Sequence, residues 1–228
     1  MFGSFFSRKK QTLHVIGDSH VLGFEALENH LSRYRIKVCS VSGATASGLQ
    51  NPHSKTLAGP IIYEYVTSNV KHEDAVLLHL GEVDCGFLMW VRAEKNLISI
   101  EEQTELTLKN YCDLINAIAS ITKDVFILSI LPQTIADGSK IENVANLRGH
   151  IKATQKQRTE LSMLMNKRLE VFAEQKGVNF IDMDVDLIDE HTGIVKRSYL
   201  NEKVEDHHLS VTKLIPLLAK KFKKTLRK

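Results

Sequence analysis

Cysteine is scarce in this chain of 228 residues: Cys39, Cys85 and Cys112 stand far apart, with no C-x-x-C pair among them. That excludes a disulfide framework and a cysteine-built structural zinc site, and it fits a reducing compartment. Proline is nearly as scarce, at four residues. No Pro/Gly-rich linker, internal repeat or low-complexity segment divides the chain, so a single domain over residues 1–228 is expected. No run approaches the ~18 apolar residues of a membrane span. The segment from Met1 to Lys10 places its positive charges after its aromatics, and no apolar stretch of signal-peptide length follows, so a cytoplasmic location is expected. A large excess of one charge is missing too. A net charge of +3 gives no reason to expect nucleic acid as a partner. What remains, 43% hydrophobic and 25% charged residues, is the balance of an ordinary globule, long enough to bury a core without disulfides or metals. Nothing in it specifies an oligomeric state.

Five short runs rich in Val and Ile read as buried parallel strands: Thr12–Gly17, Arg35–Val41, Ala75–Gly81, Asp124–Ile130 and Val178–Asp182. Helical patterns are expected over Val21–Tyr34, Gly59–Asn69, Glu101–Ile121, Leu214–Leu226 and His150–Lys176, the last with room for one break. Strands alternating with helices predict a three-layer α/β/α sandwich around a five-stranded parallel sheet. In such sheets ligands sit beyond the carboxyl ends of the strands. Long irregular stretches at Gly86–Ile100, Pro132–Gly149 and Met183–Ser210 are expected to rim that edge.

Four groups of residues fall there. The first strand runs into Gly17-Asp18-Ser19-His20. A serine at a strand-to-helix turn presents its hydroxyl at the sheet edge, beside N–H groups suited to an oxyanion; equally, it is a common helix cap. The second strand leads to Gly43, where the missing side chain lets the backbone approach a ligand, or simply makes a turn. The third leads to Gly81-Glu82-Val83-Asp84-Cys85, which brings two carboxylates and a thiol to one strand end; Cys85 is read as structural. Before the last helix comes Val204-Glu205-Asp206-His207-His208-Leu209-Ser210. An acid and an imidazole within one turn suit a carboxylate–imidazole pair, and the adjacent histidines also suit metal.

In this order and placement the four blocks resemble those of the SGNH (GDSL-like) hydrolases, from about Leu13 to Leu218. The resemblance implies a flavodoxin-like sheet and a serine-dependent carboxylic-ester hydrolase. Ser19 is then the nucleophile, His208 the base, and Gly43 a backbone oxyanion donor, with no metal or organic cofactor. The implied substrate is a small acylated molecule, most plausibly a carbohydrate or polysaccharide. Two departures stand out. Val83 occupies the position of the family's oxyanion asparagine, and its side chain cannot donate a hydrogen bond. Glu205 stands three before the histidine, where the family has Asp, and Asp206 follows it. Asp206 is preferred as the triad acid, with Glu205 as the alternative. Asp84 and Arg92 are candidate oxyanion or substrate-binding residues, Arg92 as a substitute for the missing amide. Trp90 and Lys95 beside Arg92 suit a polar or sugar ligand. An acyltransferase of the same fold and an inert binding module are the rival functions, and Asp206-His207-His208 also matches the DHH phosphoesterases in part. The basic tail, Lys220 to Lys228, reads as a solvated helix face.

Overall fold

The structure, a computed structural model, describes residues 10–139, 151–203 and 205–226. Most of the Met1–Lys10 segment, the second half of the Pro132–Gly149 stretch, His150, Val204 and the last two basic residues lie outside the described residues.

All five apolar runs are strands: β1 Gln11–Gly17, β2 Tyr34–Ser40, β3 Ala75–His79, β4 Asp124–Leu128 and β5 Asn179–Ile181. They pair in parallel in the order β2-β1-β3-β4-β5, the flavodoxin-like order. Strand side chains alternate between two cores. Ile16, Leu78 and Ile127 face α1 (Ala58–Asn69), α2 (Met89–Asn96), α3 (Ile100–Ala119) and α4 (Gln155–Lys176). Leu13, Val15, Leu77 and Phe126 face α5 (Val211–Thr225) and the segment after β1. This is the expected three-layer sandwich, and it aligns the carboxyl ends of β1, β2 and β3 on one edge.

Three expectations are corrected. The Val21–Tyr34 segment is not one α-helix but two 3₁₀ turns, Ser19–Val21 and Phe24–Asn29, divided where Gly23 takes φ 84°. The buried residues explain this. Val21, Phe24 and Leu27 recur every third position, the period of a 3₁₀ helix rather than an α-helix. The Gly86–Ile100 stretch is not irregular. A π turn over Asp84–Leu88 leads into α2, and the indole N–H of Trp90 donates to the Cys85 carbonyl at 2.7 Å. Gly86 hid this helix, yet it sits there for a packing reason. A Cβ would lie 2.1 Å from Gln133 Oε1. Finally, α4 runs unbroken from a Thr154/Gln157 capping box to Gly177, whose φ of 67° ends it.

Candidate active site

Three strand ends are brought side by side by the register. Gly17 at the end of β1 pairs with Ser40 of β2 and His79 of β3. The turn after Gly17 is therefore pressed between the other two. A Cβ on residue 17 would lie 2.3 Å from the His79 carbonyl oxygen, so only glycine permits this approach. Ser40 Oγ donates to the Asp18 carbonyl at 2.9 Å and ties the turn to β2.

Within that turn, one oxygen of Asp18 accepts the backbone N–H of His20 at 2.8 Å and contacts the ring Nδ1 at 2.9 Å. A short acid folding back onto the residue two ahead is an Asx-type turn, and here it locks an imidazole as well. Ser19 sits between the two, half-exposed. Burial pushes the Asp18 carboxyl up, but the His20 ring and N–H, with His79 beyond, outweigh it and hold the carboxyl below its ordinary value.

The segment before α5 repeats the device. One oxygen of Asp206 accepts the backbone N–H of His208 at 3.0 Å and contacts its Nδ1 at 2.7 Å. Asn201 Nδ2 donates to the other oxygen at 2.8 Å. Partial burial pushes Asp206 up, yet these His208 bonds and the neighbouring imidazoles leave its carboxyl below the usual value. Bridging of Leu200 with Leu209, and a Thr134 hydroxyl on the His207 carbonyl, hold the segment against the sheet edge. His208 Nε2 thereby reaches Ser19 Oγ at 3.0 Å, across 189 positions of sequence. Ser19, His208 and Asp206 form one continuous hydrogen-bonded chain. Glu205 is exposed, and the His208 ring is held by Asp206 instead.

The other sequence candidates are placed differently. Gly43 turns the chain after β2 with φ 71°, and a Cβ there would meet only Thr56 at 3.5 Å, so conformation rather than crowding calls for glycine. Asp84 is fully buried, accepting the N–H of Ala46 at 2.7 Å and of Ser47 at 3.0 Å, one on each oxygen. It staples the start of the π turn to the loop that carries Gly43. Burial pushes its carboxyl up, against the opposing pull of Ser47, Ala46 and Arg92. Arg92 Nη1 donates to the Ser47 carbonyl at 3.1 Å. With Ser47, Asn51, Lys95 and Asn110 it lines a cavity of about 400 Å³ that includes neither Ser19 nor His208. Asp84 and Arg92 thus shape the Gly43 loop from behind. Cys85 is buried, its Sγ 3.3 Å from Met165 Sδ, and burial pushes its thiol well up.

Sequence reasoning missed the surroundings of Ser19. His20, His79 and Glu82 are buried beside it. The His20 ring lies 4.7 Å from that of His208, 5.9 Å from His207 and 6.0 Å from His79, and its Nε2 is 3.6 Å from Glu82 Oε2. Among the described residues, two sets bring three potential metal-ligand atoms within 4.8 Å of one another: His20, His207 and His208, and Asp18, His20 and His79. The signal in the sequence is the Asp-x-His spacing that residues 18–20 share with residues 206–208.

No protein-family model matches the sequence, nor does any curated relative. Solved structures do match in fold. An acetylxylan esterase from Geobacillus stearothermophilus, solved as a catalytic mutant, superposes with a TM-score of 0.58 at 14% identity, over 94% of this chain and 93% of that one. A GDSL-like lipase from Bacteroides thetaiotaomicron superposes with a TM-score of 0.56 at 13% identity, over 93% and 87%. At these identities the likeness establishes the fold, that of SGNH/GDSL-type hydrolases. No helix among the described residues is long and apolar enough to cross a membrane.

Proposed function

We propose that this protein is a serine-dependent carboxylic-ester hydrolase, and that it removes a small acyl group from a carbohydrate. The observation that carries the reading is the hydrogen-bonded chain Ser19–His208–Asp206, with Ser19 Oγ 3.0 Å from His208 Nε2 and Asp206 on the opposite ring nitrogen at 2.7 Å. Ser19 Oγ attacks the acyl carbonyl carbon while its proton passes to His208 Nε2. Asp206 fixes the tautomer that leaves Nε2 able to accept that proton, and it stabilises the imidazolium that results. Collapse of the tetrahedral intermediate expels the sugar hydroxyl, which takes the proton from His208. Water, deprotonated by the same nitrogen, then releases the acyl group as its acid and restores Ser19.

The backbone N–H groups of Ser19 and Gly43 are assigned to the oxyanion. The side-chain donor expected in place of Val83 is not assigned, because Arg92 lines a cavity that includes neither Ser19 nor His208. Loss of one such donor costs about 2.7–4 kcal/mol in the transition state, so a modest turnover is expected. The fold-level likeness to an acetylxylan esterase supports a small acyl group on a sugar as the first substrate class to try.

The test is labelling of the purified protein with a serine-directed alkyl phosphonate, mapped by mass spectrometry. Label is expected on Ser19 and on no other serine, and it should vanish in Ser19→Ala. Label-free wild-type protein, or short-chain ester turnover that survives Ser19→Ala, would overturn the assignment.

A further inference from the structure

The two Asp-x-His turns face one another across Ser19, and together with His207 they resemble one half of a metal centre as much as one half of a triad. We infer that the imidazoles of His20, His207 and His208 form a binding site for a divalent transition cation, zinc first, and that the ion turns off the serine chemistry. The site itself does not depend on the esterase reading; its inhibitory consequence does.

The ligand atoms of these three residues lie within 4.8 Å of one another. Zinc with Zn–N distances of ~2.1 Å needs its tetrahedral nitrogens about 3.4 Å apart. The ring centroids stand 4.2 Å apart for His207 and His208 and 4.7 Å for His20 and His208, and rotation of the half-exposed His207 side chain out of its stack on His208 is what brings its nitrogen to that spacing. A metal-binding histidine almost always carries a carboxylate or carbonyl on its other ring nitrogen, which fixes the tautomer and aims the ligating lone pair. Two of the three rings have that support. Asp18 Oδ1 lies 2.9 Å from His20 Nδ1, and Asp206 Oδ1 lies 2.7 Å from His208 Nδ1. Both carboxylates are themselves held by backbone N–H groups, and Asp206 also by Asn201. An ion would take Nε2 of His208 in exchange for its contact with Ser19 and Nε2 of His20 in exchange for its contact with Glu82 Oε2 at 3.6 Å, with one nitrogen of His207 completing three and a fourth position open.

Access separates this set from its overlapping alternative. Asp18, His20 and His79 are all buried, whereas His207 and His208 are half-exposed and give an ion a path in. All-imidazole ligation selects zinc, copper or nickel over magnesium and calcium, which prefer oxygen. His208 Nε2 is also the atom 3.0 Å from Ser19 Oγ. A nitrogen bonded to a metal cannot accept the serine proton, so ion and turnover exclude one another.

The experiment is equilibrium dialysis of the chelator-stripped full chain against zinc chloride, in parallel with short-chain ester turnover. One saturable zinc ion per chain is expected. His207→Ala, and His207→Gln as a second variant, should bind at least about 10-fold more weakly while keeping their basal turnover, because His207 has no part in the proposed serine chemistry. Zinc should inhibit the wild type over its binding range, and these variants only at correspondingly higher concentration. Absence of saturable binding to folded wild type, or unchanged affinity in both His207 variants, would overturn the site. Binding without inhibition would overturn the switch alone. A chain with no ester turnover still tests the site, since dialysis reads the ion directly.

Discussion

The turns at Asp18–His20 and Asp206–His208 are built alike and buried differently. In each, one carboxylate oxygen holds both the N–H and the ring Nδ1 of the histidine two residues on. The side chains of Asp18 and His20 are 0% and 3% exposed, whereas those of Asp206 and His208 are 37% and 25% exposed. Local sequence specifies the turn; its position in the fold decides the use. A buried acid–imidazole pair is strongly coupled to stability, since removing one partner strands the other charge away from water. A rim pair is free to exchange protons with a substrate, and its loss leaves the core untouched. The first unit should therefore read out mainly in melting temperature, and the second mainly in turnover.

The largest expected effect lies on the rim unit. Asp206→Asn should lower kcat by about 10⁴-fold, as the equivalent change does in a serine protease, with only a small change in melting temperature. Glu205→Gln should stay within a small factor of wild type. A large loss of kcat in Glu205→Gln alone would reverse the roles of the two acids.

Next comes the buried unit. Asp18→Ala removes the carboxylate from His20 Nδ1 and the acceptor from the His20 N–H, leaving Glu82 3.6 Å from the other ring nitrogen. It should destabilise the protein by about 3–5 kcal/mol, a drop in melting temperature of roughly 6–20 °C. A melting temperature within about 2 °C of wild type would show that the two units do not differ as their burial implies.

A subtler difference appears with pH. Burial lowers the His79 imidazole to about 4, so the folded chain keeps it neutral. The unfolded chain binds a proton at that residue near pH 6.5, so its contribution is fully present above pH 6.5 and is lost as pH falls towards 4. This group accounts for a decline of up to about 3 kcal/mol through that window, while Asp184, raised by burial to about 6, contributes with the opposite sign, so the test is the difference between wild type and variant. Thermal melts of His79→Gln should lack that part of the decline. The Asp18 carboxyl is lowered instead, so its own contribution fades only below its ordinary value of 3.8, which keeps the two windows apart. An unchanged slope in His79→Gln between pH 6.5 and 4 would contradict the assignment to His79.

The smallest effect is expected behind the site. Arg92→Ala removes the donor to the Ser47 carbonyl and loosens the loop that carries Gly43. Turnover should fall by less than about 10-fold, the scale of one charged hydrogen bond only partly shielded from water. A loss approaching the 10²–10³-fold of a true oxyanion donor would put Arg92 back at the oxyanion itself.

How the sequence and the structure divide this result follows from range. The five strands were legible because continuous Val- and Ile-rich runs bury both faces, and that signal is local. The Asp-x-His turns are local as well, each spanning three residues. Where local signals misled, a competing packing need was at work. The three-residue spacing of Val21, Phe24 and Leu27 makes a 3₁₀ turn from what reads as a helical pattern. Gly86 sits inside a helical segment because Gln133, far along the chain, packs against the place a Cβ would take. Asp84 and Arg92 were chemistry-bearing residues at a strand end, and only the three-dimensional arrangement turned them onto Ala46 and Ser47.

By itself, then, the sequence determined the strands, the glycines at the strand ends and the turn chemistry that orients two histidines. Tertiary structure alone decided what those histidines face. Ser19 meets His208 across 189 residues because β1 lies between β2 and β3, and the segment before α5 returns over the carboxyl edge to lie on it. It also decided that Asp206 rather than Glu205 turns inward, and that His20, His207 and His208 close into one cluster. Such contacts depend on where a long loop closes, and no periodicity within the loop carries that information.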